Sequence, residues 1–300
     1  MLELFLVSLI WAFSFGIIKG NLTGVDASFI AAARLGIATL ALLPFLRLGR
    51  IPRKQGFQLA LVGVFQFGIM YIAYNYSFHY LKAFEVALFT IFTPIFVTLI
   101  DQLFRRKLEW IALLAAVLAV VGTGIVSWAD LQSPGLAIGF LIVQVSNLCF
   151  AFGQIYYRRV AATLPGVKDA HIMGLPYLGG FGITALSTMA FGGLRSLTLS
   201  TLQIGTLVYL GVIASGLGFF LWNHGARQVS TGTLAVFNDL KVPLAVAVSL
   251  IFFAEKTDLL HLIVGGGIVL VALVLNETLP GRLKTSERLA ERTQAEETGG

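Results

Sequence analysis

Three ionisable residues stand where water is scarce: Arg34, Asp239 and Lys241 each lie several residues inside a long apolar run. A charge held at that depth in a bilayer costs roughly 3 kcal/mol even on lenient scales, so it is kept for a solute, an ion or a partner charge. Two chemistries fit. In one, Asp239 takes a proton or cation while Arg34 or Lys241 receives a carboxylate. In the other, these charges form a structural ion pair that joins two helices. Asp239 and Lys241 are separated by one residue, Leu240, so on a regular helix they point to opposite sides and a direct pair requires distortion. Pro243 offers one, because it removes the hydrogen bond to the carbonyl of residue 239 and crowds it.

Neutral polar residues in the same runs fall on helical stripes. Tyr71, Tyr74, Asn75, Phe78 and His79 share one face, and Phe219, Trp222 and Asn223 mirror them later in the chain. Gln144, Asn147, Ala151 and Gln154 form a second stripe, and Ser8, Trp11 and Phe15 a third. An amide in hydrocarbon must be paired or face water, so these stripes either line a cavity or bond helices together. The cavity reading makes Trp11, Tyr71, Tyr74, Asn75, His79, Asn147, Gln154, Trp222 and Asn223 the candidate substrate-binding residues, suited to an amphipathic or aromatic solute. Glu85, His224 and Glu255 lie closer to the ends of their runs and read as solvated. Cys149 is the only cysteine, which leaves no intramolecular disulfide and no thiolate metal cluster, and neither a metal nor another cofactor is expected.

The elements that must position these residues are membrane helices. The chain of 300 residues is 57% hydrophobic and 12% charged, with a mean hydropathy of +0.86. It has too little polar surface to cover a soluble globule. Apolar runs near 4–18, 28–46, 57–80, 83–103, 110–128, 135–157, 172–192, 202–226, 231–253 and 260–275 predict ten transmembrane helices in an all-α polytopic fold. With the N-terminus in the cytoplasm, Arg47, Arg50, Arg53, Lys54, Arg105, Arg106, Lys107, Arg158, Arg159, Lys168, Arg227 and the basic residues of the tail all fall on the cytoplasmic side. That bias puts both termini inside, and a bacterial inner membrane is the expected location. The basic residues are dispersed over loop ends, so the net charge of +6 points to lipid and not to nucleic acid.

The chain also repeats itself. Gly63, Val64, Gly68, Asn75, Ala87 and Phe89 recur at one constant offset as Gly211, Val212, Gly216, Asn223, Ala235 and Phe237. Pro94 matches Pro243 after a one-residue slip near Asp239, and Phe13, Phe15 and Gly16 match Phe150, Phe152 and Gly153. Five spans per repeat predict two halves of opposite orientation, residues 1–130 and 131–276, followed by a charged cytoplasmic tail over 277–300. Gly265, Gly266 and Gly267 in the last span offer a small-residue face for a homodimer through peripheral spans.

These residues carry a resemblance. The segment Leu9 to Lys19 resembles the opening of EamA-type members of the drug/metabolite transporter superfamily, and Arg34, Pro94, Pro243 and Glu255 are similar in placement to that family's residues. The resemblance implies a central cavity bounded by spans 1 to 4 and 6 to 9, with spans 5 and 10 at the periphery. It also implies export or exchange of amino acids and related small metabolites. A secondary transporter, with proton coupling through Asp239 as one option, is therefore the leading expectation. An intramembrane enzyme is the first alternative, although no HExxH, G-x-S-x-G or Asp-rich diphosphate motif is visible. A channel is the second.

Overall fold

The computed structural model describes residues 1–106, 134–191 and 198–252, with isolated positions at 121, 260, 263, 264, 267, 268 and 271. Eight helices occupy them: α1 Leu2–Asn21, α2 Ala27–Phe45, α3 Arg53–Ser77, α4 Ala83–Arg105, α5 Gly135–Ala162, α6 Asp169–Ala190, α7 Thr201–Gln228 and α8 Thr231–Phe252. The first seven are long and apolar enough to cross a membrane. They correspond to predicted spans 1 to 4 and 6 to 8, and α8 to span 9. Spans 5 and 10, Glu255, the Gly265–Gly267 face and the tail fall wholly or largely outside the described residues, as does the side chain of Asp239.

Local chemistry sets the helix limits. Asp26 caps α2 by accepting the Phe29 N–H at 2.8 Å. Gly166, at φ +74°, makes the left-handed turn between α5 and α6. Glu85 is buried, against the expectation of a solvated side chain, because its carboxylate reaches back to the Lys82 N–H at 2.7 Å and closes the first turn of α4. α8 runs through Pro243 as one helix.

The strongest contacts of the two sets of four helices correspond. α1 lies against α8 and α7, and α5 lies against α4 and α3; α2 packs on α7 as α6 packs on α3. Two further pairs, α2 with α6 and α4 with α8, map onto themselves when the sets are exchanged. α3 and α7 each widen into a π-helical stretch, Val64–Ile69 and Leu210–Leu217, at matching positions of the repeat. Such close contact depends on missing side chains. A Cβ on Gly179 would sit 2.0 Å from the Ala60 carbonyl oxygen, and one on Gly153 would sit 2.1 Å from the Gln66 Cβ.

At the Met1 end, Asp169 ties four helices together. It accepts from Tyr157 Oη at 2.5 Å, Arg227 Nη1 at 2.6 Å and His224 Nδ1 at 2.8 Å, and His224 Nε2 lies 3.7 Å from Glu3. α1 and α3 therefore run away from this end, whereas α5 and α7 run toward it; at the far end Lys19 Nζ donates to the Phe78 carbonyl at 2.6 Å and Asn21 to Thr206 at 3.1 Å. Replacing Asp169 by Asn leaves its three donors facing an amide that accepts through one oxygen only. This substitution is expected to cost about 2 kcal/mol, read as a fall of several degrees in the melting temperature of the detergent-solubilised protein.

Candidate functional site: a central aromatic pocket with buried cations

Helices from both halves of the chain converge on one cavity of about 510 Å³, a figure that includes space open to solvent. Its aromatic wall is Trp11 and Phe15 from α1, Tyr71 and Tyr74 from α3, Phe150 from α5 and Phe219 from α7. Trp11 is fixed by an Nε1–H bond of 2.8 Å to the Ala214 carbonyl, an acceptor that the π-helical stretch of α7 leaves within reach. Its ring packs 5.0 Å from Phe219 and 4.9 Å from Trp222.

Arg34 is tightly held in this wall. It is 2% exposed. Nε donates to Ser215 Oγ at 3.1 Å and Nη2 to Tyr71 Oη at 2.6 Å, while Tyr71 Oη and Ser215 Oγ share a further bond of 3.0 Å. The guanidinium carbon also lies 4.0 Å from the Tyr71 ring centroid. Its third nitrogen, Nη1, is buried with no hydrogen-bond partner among the described residues. A buried donor left open in this way is costly unless an acceptor arrives from outside the chain. Lys241 brings a second cation from α8, with Nζ 5.1 Å from the Phe150 ring and 5.6 Å from the Trp11 ring.

A polar edge completes the cavity. Asn147 donates to the Phe89 carbonyl at 2.8 Å and to Gln144 at 3.0 Å, and Thr93 donates to Asn147 Oδ1 at 3.2 Å. The Phe89 carbonyl is presented where α4 tightens into a 3₁₀ turn over Thr90–Phe92. Thr90, Thr93 and Ser146 also line this edge.

The structure separates the predicted site residues into two groups. Trp11, Arg34, Tyr71, Tyr74, Asn147 and Lys241 line the cavity. Trp222, Gln154 and Asn223 do not; they form a packed layer between the cavity and the Met1 end. There Gln66 and Asn223 exchange amide bonds at 2.8 and 3.3 Å, and Gln154 accepts from Trp222 at 3.1 Å and from Asn238 at 3.3 Å. All five are fully buried. Asn75 lies outside the cavity and donates to the Ala27 carbonyl at 3.4 Å, linking α3 to the start of α2. His79 is exposed, because α3 ends at Ser77 and the helical stripe stops before reaching it. Asp239 lies on the described backbone of α8, its side chain outside the described residues.

Gln66, Tyr177 and Ser215 did not stand out in the sequence. Gln66 was legible as a lone amide in an apolar run. Tyr177, whose hydroxyl donates to the Ser215 and Gly216 carbonyls at 2.7 and 2.8 Å, and Ser215 carry no such signal. Their role depends on the π-helical stretch, which no local pattern announces.

A membrane helix bundle with a central aromatic pocket, two buried cations in its wall and a packed polar layer beneath it has the build of a carrier for a small solute. The chain matches the EamA-like transporter family over residues 1–128 and 137–277, and it belongs to that family. It is 38% identical over 275 residues to the biotin transporter of Salmonella typhimurium, covering 91% of each chain. A probable amino-acid metabolite efflux pump of the same organism is 24% identical over 290 residues, 90% of this chain and 92% of that one. One solved crystal structure, at 16% identity, covers 93% of this chain and 96% of its own with a TM-score of 0.68, a likeness of fold alone.

Proposed function

We propose that this protein carries biotin, or a carboxylate of similar shape, across the membrane by alternating access of two inverted five-helix halves with both termini in the cytoplasm. The observation that carries the substrate is the charge of the pocket. Its charged lining residues among those described are Arg34 and Lys241, both cations. An α-amino acid would bring an ammonium group into that field and need an acceptor for it, whereas biotin brings a single carboxylate, an apolar chain and a neutral ureido ring. Arg34 Nη1 would receive the carboxylate, the aromatic wall the apolar chain, and the edge around Thr93, Ser146 and Asn147 the ureido group. The more similar of the two named relatives supports biotin over the amino-acid cargo expected from sequence.

The exchange-invariant packing, the opposed directions of α1 and α5, and the matching π-helical stretches support the inverted halves. Counterflow in proteoliposomes loaded with unlabelled biotin tests the substrate. Accumulation of labelled biotin is expected, with biotin methyl ester and a panel of amino acids competing at least about tenfold more weakly. Equal competition by the ester, or counterflow of an amino acid without biotin, would remove the carboxylate assignment.

A further inference from the structure

We propose that a basic cleft at the Met1 end, between α4, α5 and α8, binds the phosphate of an anionic phospholipid. The cleft is separate from the central pocket and is lined by Asp101, Arg105, Arg158, Arg159, Arg227 and Thr231 at the ends of their helices. Asp101 is shared by Arg105 at 2.8 Å and Arg159 at 3.9 Å, and Arg227 is committed to Asp169. Arg158 donates to neutral groups, the Val229 carbonyl at 2.9 Å and Thr231 Oγ1 at 3.3 Å, and also feels the charge of Asp101. Among the described residues, four guanidinium groups thus stand with two carboxylates, Asp101 and Asp169. The excess positive charge, on arginine forks already oriented by these bonds, suits a phosphodiester monoanion.

The surroundings choose lipid over a free anion. Phe104, Phe152 and Tyr156 form a stacked ladder beside the cleft, with Phe104 and Tyr156 6.2 Å apart and 3° from parallel, and Phe152 5.3 Å from Tyr156. Arg159 lies 4.5 Å over the Phe104 ring, joining the charged and aromatic parts. Leu103 and Phe104 are 70% and 39% exposed near the end of α4. An acyl chain can lie along this ladder while its headgroup occupies the cleft; inorganic phosphate gains nothing from it. The charge bias of the sequence puts this end on the cytoplasmic side, where anionic headgroups attract basic clusters.

Native mass spectrometry of the full-length protein in neutral detergent, titrated with phosphatidylglycerol, phosphatidylcholine or inorganic phosphate, tests the site. Phosphatidylglycerol is expected to bind at least about tenfold more tightly than phosphatidylcholine. The Arg158→Gln/Arg159→Gln pair should weaken phosphatidylglycerol binding about tenfold, while Arg53→Gln/Lys54→Gln, at the same end but outside the cleft, should change it less than about twofold. If the Gln pair does not elute as monodisperse protein, Arg158→Lys/Arg159→Lys carries the test, since it keeps the charge and loses the forks; a drop of about threefold is expected. Equal binding of the two lipids, or unchanged phosphatidylglycerol binding in the cleft variants, overturns the proposal. Full displacement of phosphatidylglycerol by millimolar phosphate overturns the choice of lipid and leaves a free-anion site.

Discussion

Arg34→Ala is expected to weaken biotin binding by at least about 100-fold and to reduce counterflow to background. Removing one partner of a desolvated charge pair costs roughly 2–5 kcal/mol, and each 1.4 kcal/mol is a factor of ten. Two of the three guanidinium nitrogens are spent on Ser215 and Tyr71, so the side chain is already ordered and little further entropy is lost when a carboxylate reaches Nη1. Arg34→Lys should recover only a small part of the affinity, because an ammonium group cannot hold Tyr71 and Ser215 and still present a donor to the pocket. The control for a merely structural role is biotin methyl ester. Loss of the acid with unchanged weak binding of the ester marks a carboxylate partner; equal loss of both marks a brace between α2, α3 and α7.

Gly63→Ala is expected to abolish recovery of monodisperse protein in fluorescence-detected size-exclusion chromatography. An added Cβ would lie 1.7 Å from the Pro176 carbonyl oxygen and 2.4 Å from its carbon. Both are backbone atoms in a helix, so no rotamer change relieves the clash and α3 must separate from α6. Overpacking commonly costs about 1–3 kcal/mol where side chains can yield, and this contact has none to move. Gly182→Ala, on α6 with nothing within 4 Å of its Cβ, should be tolerated or slightly stabilising through helix propensity. Comparable losses in the two variants would show that the close α3–α6 approach at Gly63 is not the cause.

Several of these features could be read from the chain. Charge clusters and run lengths located the helices now called α1 to α8 because a bilayer imposes one rule on every segment, an apolar length of helix with its backbone satisfied internally. The depth of Arg34 and Lys241 marked them for the same reason, since an ionisable group inside hydrocarbon must have a partner or a cavity. The recurrence of Gly63, Val64 and Gly68 as Gly211, Val212 and Gly216 falls at or beside the π-helical stretches of α3 and α7, whereas Asn75 and Asn223, equally matched in sequence, meet different partners.

Tertiary structure alone decided which polar residues face the cavity. Asn147 and Gln154 share a stripe on α5, yet Asn147 edges the pocket and Gln154 lies in the packed layer beneath it. Asn223 meets Gln66 from the other half of the chain, and Arg34 meets Ser215 on a widened turn of α7. Periodicity assigns a face but neither a depth nor a neighbour, and an amide satisfied by another amide looks, along the chain, the same as one awaiting a substrate. Apolar length and buried charge are properties that each segment carries by itself, whereas the division into pocket, packed layer and ion network arises only where helices distant in sequence come within hydrogen-bonding distance.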